Sequence, residues 1–97
     1  IGAGGVGVAA IQGARIAGAA EIVAIDLHEG KLERAKAFGA THGAVPEDVP
    51  AVMAEVTGGE GFDYTLECIG MPTTMRQAFD LTRRGGTCCI VGVGRAE

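Results

Sequence analysis

The chain has 97 residues, of which 47% are hydrophobic, with seventeen glycines and a formal net charge of −4. That bounds it to one small domain, too apolar for a disordered segment. Its acidic balance excludes a nucleic-acid groove or an anionic membrane surface as the expected partner. No apolar run approaches the ~20 residues that span a bilayer, and the amino terminus reads as no secretory signal. Cys68, Cys88 and Cys89 show no C-x-x-C spacing. They read as small buried hydrophobes in a reducing cytoplasm, not as a disulfide framework or a zinc site.

In chain order, "IGAGGVG" (residues 1–7) is a glycine-rich turn after a single apolar residue. The alanine-rich stretch Val6 to Ala20 places Val6, Ala10, Gly13 and Ala17 at helical spacing, a stripe small enough to lie close on a sheet. "EIVAID" (Glu21 to Asp26) is a β-branched run ending in a carboxylate, a buried strand. "EGKLERAKAFGA" sets Leu32, Ala35 and Phe38 on one helical face, with Gly39 as the stop. Thr41 to Val45 is a weak short strand. Pro46, Glu47 and Asp48 start a helix that "AVMAEVTGGEG" carries to a glycine stop. "FDYTLECIG" (Phe62 to Gly70) is a strand, Pro72 and Thr73 open a helix running to Arg84, and Gly86 to Gly94 is a final apolar strand. Helices alternating with apolar strands predict an α/β fold, a doubly wound parallel sheet of Rossmann type.

Gly2, Gly4 and Gly7 fit G-x-G-x-x-G, and Asp26 lies nineteen residues beyond Gly7, at the end of the next strand. In a dinucleotide site each position has a task. The first glycine allows the tight turn, the second lets the backbone approach a pyrophosphate, and the third lets the helix pack on its strand. The positive end of the helix then faces the phosphates. Asp26 would accept hydrogen bonds from the adenosine ribose hydroxyls and repel a 2′-phosphate, which selects NAD over NADP. His28 and His42 have no sequence partner at ligand or triad spacing and read as surface residues. Glu67, if it points inward, needs a partner.

Four motifs, "GAGGVG", "AIDLHEGKLERAKAFGATH", "FDYTLECIG" and "GGTCCIVGVG", together resemble the coenzyme domain of zinc-containing, medium-chain alcohol dehydrogenases. The resemblance implies that Gly2, Ala3, Gly4, Gly5, Val6 and Gly7 hold the pyrophosphate, with Val6 near the nicotinamide. It implies that Asp26 and Lys31 hold the adenosine ribose, that Leu27 and Ile69 sandwich the adenine, and that Gly70 closes that loop. Val91, Gly92 and Val93 would line the nicotinamide side.

The implied reaction passes a hydride between an alcohol and NAD to give an aldehyde or ketone, in a cytoplasmic homo-oligomer. Zinc is implied for the whole protein, with its ligands in a preceding catalytic domain. No catalytic residue and no metal ligand is assigned to residues 1–97. They are expected to form a partial NAD(P)-binding Rossmann domain, truncated in its first strand and its C-terminal strand and folding poorly by itself. Two alternatives stand beside this reading. One is a zinc-free medium-chain quinone or enoyl-type reductase, and the other is a non-catalytic NADH-sensing module.

Overall fold

The computed structural model describes residues 1–93, and the expected alternation of helices and strands is present. In order come α1 (Gly5–Ile16), β1 (Val23–Ile25), α2 (Glu29–Ala37), β2 (His42–Ala44), a 3-10 turn (Pro46–Asp48), α3 (Val49–Thr57), β3 (Phe62–Glu67), α4 (Pro72–Leu81) and β4 (Thr82–Ile90). No helix among the described residues is long and apolar enough to cross a membrane.

β1 pairs with β2 and β3 with β4, both in parallel. The two pairs are separate sheets, and Ile1–Gly2 lies between them. Ile1 N donates to the Leu66 carbonyl at 2.7 Å and Cys68 N to the Ile1 carbonyl at 2.8 Å, while Gly2 N donates to the Ile25 carbonyl at 2.8 Å. The spatial order is therefore β2, β1, Ile1–Gly2, β3, β4. The chain winds outward in both directions from the centre, as in a Rossmann fold, whose ligands bind beyond the carboxyl ends of the strands.

Alternation along β1 builds two cores. Ala24 joins Ala3, Ile11, Leu32, Ala35 and Ala40 under α1 and α2. Ile25 joins Ala44, Val49 and Leu81 on the opposite face, with Val52, Met53 and Phe62 packed against them. In the other pair, Thr65 and Glu67 are buried, and the Thr65 hydroxyl donates to the Ala78 carbonyl of α4 at 3.0 Å.

Several elements differ from the sequence reading. α1 buries Gly7, Val8 and Ile11 instead of the Val6, Ala10, Gly13, Ala17 stripe, and it ends at Ile16 instead of Ala20. The rotation follows from Gly7, where a Cβ would sit 1.7 Å from the Gly2 carbonyl oxygen: this side of the helix must face the turn. α4 stops at Leu81 instead of Arg84, because Thr82 turns its hydroxyl back onto the Ala78 carbonyl and Thr65 and enters the strand. β4 begins at Thr82 instead of Gly86, and the chain bulges beyond Thr82 before regular pairing resumes at Thr87. The strand ends at Ile90, leaving Val91, Gly92 and Val93 in a loop; Gly94 lies outside the described residues. Cys89 is exposed and Cys68 and Cys88 are half-buried, so the three are not core hydrophobes.

Candidate dinucleotide site

The glycine turn divides its labour among its positions. Gly2 adopts φ +97°, a conformation that needs glycine, and Gly7 makes the close helix contact already described. Gly4 and Gly5 have no atom within 4 Å of where a Cβ would stand, so nothing in the chain itself demands glycine there. Gly4 is the N-cap of α1 and offers no side-chain cap to the first helical N–H groups. The amino end of α1 therefore presents free donors and its positive dipole end to open space, which fits a pyrophosphate.

Asp26 leaves the end of β1 and is buried, 9% exposed. Its Oδ2 accepts from Ala3 N at 2.9 Å, and its Oδ1 from His28 N at 2.9 Å. The carboxylate thus ties the glycine turn to the start of α2. Burial pushes its pKa up, but the hydrogen bonds from Ala3 and His28 and the nearby Lys31 charge outweigh this and hold it below the usual range. Lys31 is exposed in the first turn of α2. Both histidines have carboxylate partners that the sequence did not reveal: His28 Nδ1 lies 3.1 Å from Asp26, and half-buried His42 lies 3.5 Å from Glu21 and 3.4 Å from Glu55.

The apolar positions are exposed where a buried core would have been the simpler explanation. Leu27 is 73% exposed and Ile69 43%. Val6, Val91 and Val93 are exposed too, all beyond the carboxyl ends of strands or on the first turn of α1. Gly70 has φ +93°, and a Cβ there would lie 2.2 Å from the Val93 carbonyl oxygen, so the loops after β3 and β4 touch backbone to backbone.

Glu67 stands beneath that contact. Its Oε2 accepts from Gly70 N at 2.7 Å, from Ile69 N at 3.2 Å and from the Thr74 hydroxyl. Burial again raises the pKa, and the Thr74, Gly70, Ile69 and Met71 hydrogen bonds more than reverse it, so Glu67 is held ionised. The sequence asked for a partner here without supplying one; the available signal was Gly70 just past the strand and Thr74 in the first turn of α4. Among the described residues no group of three or more His, Cys, Asp or Glu side chains is placed to hold a metal ion. Burial pushes the Cys68 thiol up, away from the reactive range.

Residues 5–97 match the family described as zinc-binding dehydrogenase. The chain belongs to that family. It is 49% identical to the class-3 alcohol dehydrogenase of Caenorhabditis elegans, across 98% of this chain and 27% of that protein. Benzyl alcohol dehydrogenase from Acinetobacter calcoaceticus superimposes with a TM-score of 0.89 at 36% identity, over 98% of this chain and 26% of that one. A family structure from Sinorhizobium meliloti, solved bound to NADP, superimposes with a TM-score of 0.81 at 31% identity, over 95% of this chain and 28% of that one. The chain thus spans about a quarter of the length of these relatives.

Proposed function

We propose that this chain is the NAD(H)-binding part of an alcohol dehydrogenase, transferring a hydride between an alcohol and the nicotinamide to give an aldehyde or ketone. The observation that carries the reading is Asp26. It is ionised, and its two oxygens are locked onto the glycine turn and the start of α2. In this reading Gly2 to Gly7 and the amino end of α1 hold the pyrophosphate. Asp26 and Lys31 take the adenosine ribose, and Leu27 and Ile69 flank the adenine. Gly70 closes the adenine loop, and Val91 to Val93 border the nicotinamide.

The work of these residues is binding and orientation. They fix the dinucleotide along the carboxyl ends of the strands so that the hydride-bearing carbon faces whatever holds the alcohol. Zinc bound by residues outside the described ones would supply a Lewis acid for the alcohol oxygen. The reading extends to a homo-oligomer in the cytoplasm, where free cysteines persist.

The relative solved with NADP makes cofactor choice the test. Calorimetric titration of the full-length protein is expected to show NADH binding at least about tenfold tighter than NADPH, because a 2′-phosphate would meet the Asp26 charge. Asp26→Ser is expected to close that gap from both sides. Equal or tighter NADPH binding by the unsubstituted protein would overturn the assignment.

A further inference from the structure

Among the described residues Glu67 is the largest side chain with no exposed surface, and it carries a charge with no basic side chain bridged to it there. Charges of this kind persist when hydrogen bonds satisfy them. Every donor to the carboxylate comes from the loop after β3 and the first turn of α4, while the loop after β4 bonds to the main-chain carbonyl of the same residue and lies against Oε1 through Gly92. The Glu67 carbonyl accepts from Val91 N at 2.8 Å and Gly92 N at 2.9 Å, both in the loop after β4. Its carboxylate accepts from Ile69 N, Gly70 N and the Thr74 hydroxyl, in the loop after β3 and the first turn of α4. Oε1 has no donor among the described residues. It lies against Gly92, where a Cβ would come within 2.6 Å of it. A side chain at position 92 would therefore strike the carboxylate, and one at position 70 would strike Val93.

From this we infer that Glu67 is a positioning residue: it sets the spacing between the loop after β3, which carries Ile69 and Gly70, and the loop after β4, which borders the nicotinamide. The inference rests on the NAD(H) reading of the site. An ionised carboxylate suits the task, because the N–H and O–H groups around it are all donors. A glutamine keeps the shape and one acceptor oxygen but brings an N–H₂ towards Gly92. An alanine leaves the amides of Ile69 and Gly70 without their acceptor.

The test is calorimetric titration of NADH and of AMP into the full-length protein carrying Glu67→Ala, Glu67→Gln or Thr74→Val. Glu67→Ala is expected to weaken NADH by about tenfold or more, and AMP, which meets Ile69 but not the loop after β4, by no more than about threefold. Glu67→Gln falls between it and the parent. Thr74→Val, which removes one donor and leaves the charge, weakens NADH by about threefold and stands in if the alanine variant fails to fold. NADH affinities within experimental error of the parent, or equal losses for AMP and NADH, would overturn the inference; the second result is what a general loss of packing produces.

Amide hydrogen exchange without any nucleotide separates this from the cofactor reading. The Ile69 and Gly70 amides, which donate to the carboxylate, are expected to exchange at least about tenfold faster in Glu67→Ala while those of β1 are unchanged. Unchanged exchange at these amides removes the clasp whatever the nucleotide does. Absence of NADH binding to the parent protein overturns the cofactor reading and leaves exchange to decide the clasp alone.

Discussion

β1 presses Ala24 under α1 and α2 and Ile25 against α3 and the end of α4, so both its faces are covered by helices. β3 turns Thr65 and Glu67 towards α4, yet its Tyr64 is 73% exposed on the other face. The difference extends to what joins the elements. Around β1 the joints are aliphatic, and burial of apolar area supplies the attraction without fixing any one geometry. Around β3 they are hydrogen bonds made by the Thr65, Thr82 and Thr74 hydroxyls and accepted by the Glu67 carboxylate, which hold only at particular distances. Proximity of the second kind is what loops that line a ligand require.

Removing aliphatic bulk from the covered pair is expected to have the largest effect on stability. Ile25→Ala opens a cavity among Ala44, Val49 and Leu81, at a cost of about 3 kcal/mol. Urea unfolding of the protein followed by circular dichroism would measure it. A loss below about 1 kcal/mol would mean that the helices close over the gap, and that β1 is packed no more firmly than β3.

The same contrast explains what the sequence made legible. β1 and the start of α2 announced themselves because apolar periodicity is what burial on two faces writes into a sequence. "EIVAID" and the stripe Leu32, Ala35 mark strand and helix with their buried sides, and Asp26 falls at the strand end as its spacing required. The boundary between α4 and β4 was hidden, because Arg83 and Arg84 have good helix propensity. What ends the helix is the Thr82 hydroxyl reaching Thr65, a residue from another strand. The buried side of α1 was misread for a related reason. Alanine and glycine are small on every face, so the stripe alone carries no direction, and the contact of Gly7 with the Gly2 carbonyl decides it. The candidate site divided along the same line: its glycines and Asp26 follow from spacing, whereas the place of Glu67 is defined by a loop and a helix turn that donate to its carboxylate and a second loop that donates to its carbonyl, which only the fold brings together.

Acid separates the two halves less sharply, through one carboxylate in each. Asp26 and Glu67 both have folded-state pKa values below their ordinary ones. As pH falls, the unfolded chain therefore takes up protons on these groups before the folded one does. The stability they contribute is complete above the ordinary carboxylate range and is lost as pH drops below about 4, through the folded values. Chemical denaturation midpoints are expected to fall steadily between about pH 5 and pH 3, and Asp26→Asn and Glu67→Gln should each make that decline shallower. If only one substitution did so, the acid sensitivity would belong to one strand pair. If neither did, the carboxylates' hydrogen bonds would not be what holds them ionised.

The smallest effect is expected at Tyr64, and it is the sharpest test of the contrast. An exposed aromatic on a strand contributes through its cross-strand neighbours and little else, and its regular partner across the pair is Thr87 on β4. Tyr64→Ser is then expected to cost about 0.5 kcal/mol or less in the urea experiment that reads Ile25→Ala. A cost approaching that of Ile25→Ala would require the open face of β3 to be buried against a further part of the protein. The polar joints on its α4 side would then be one layer of a two-sided core, and the spacing of the loops above them would have to be set from both faces.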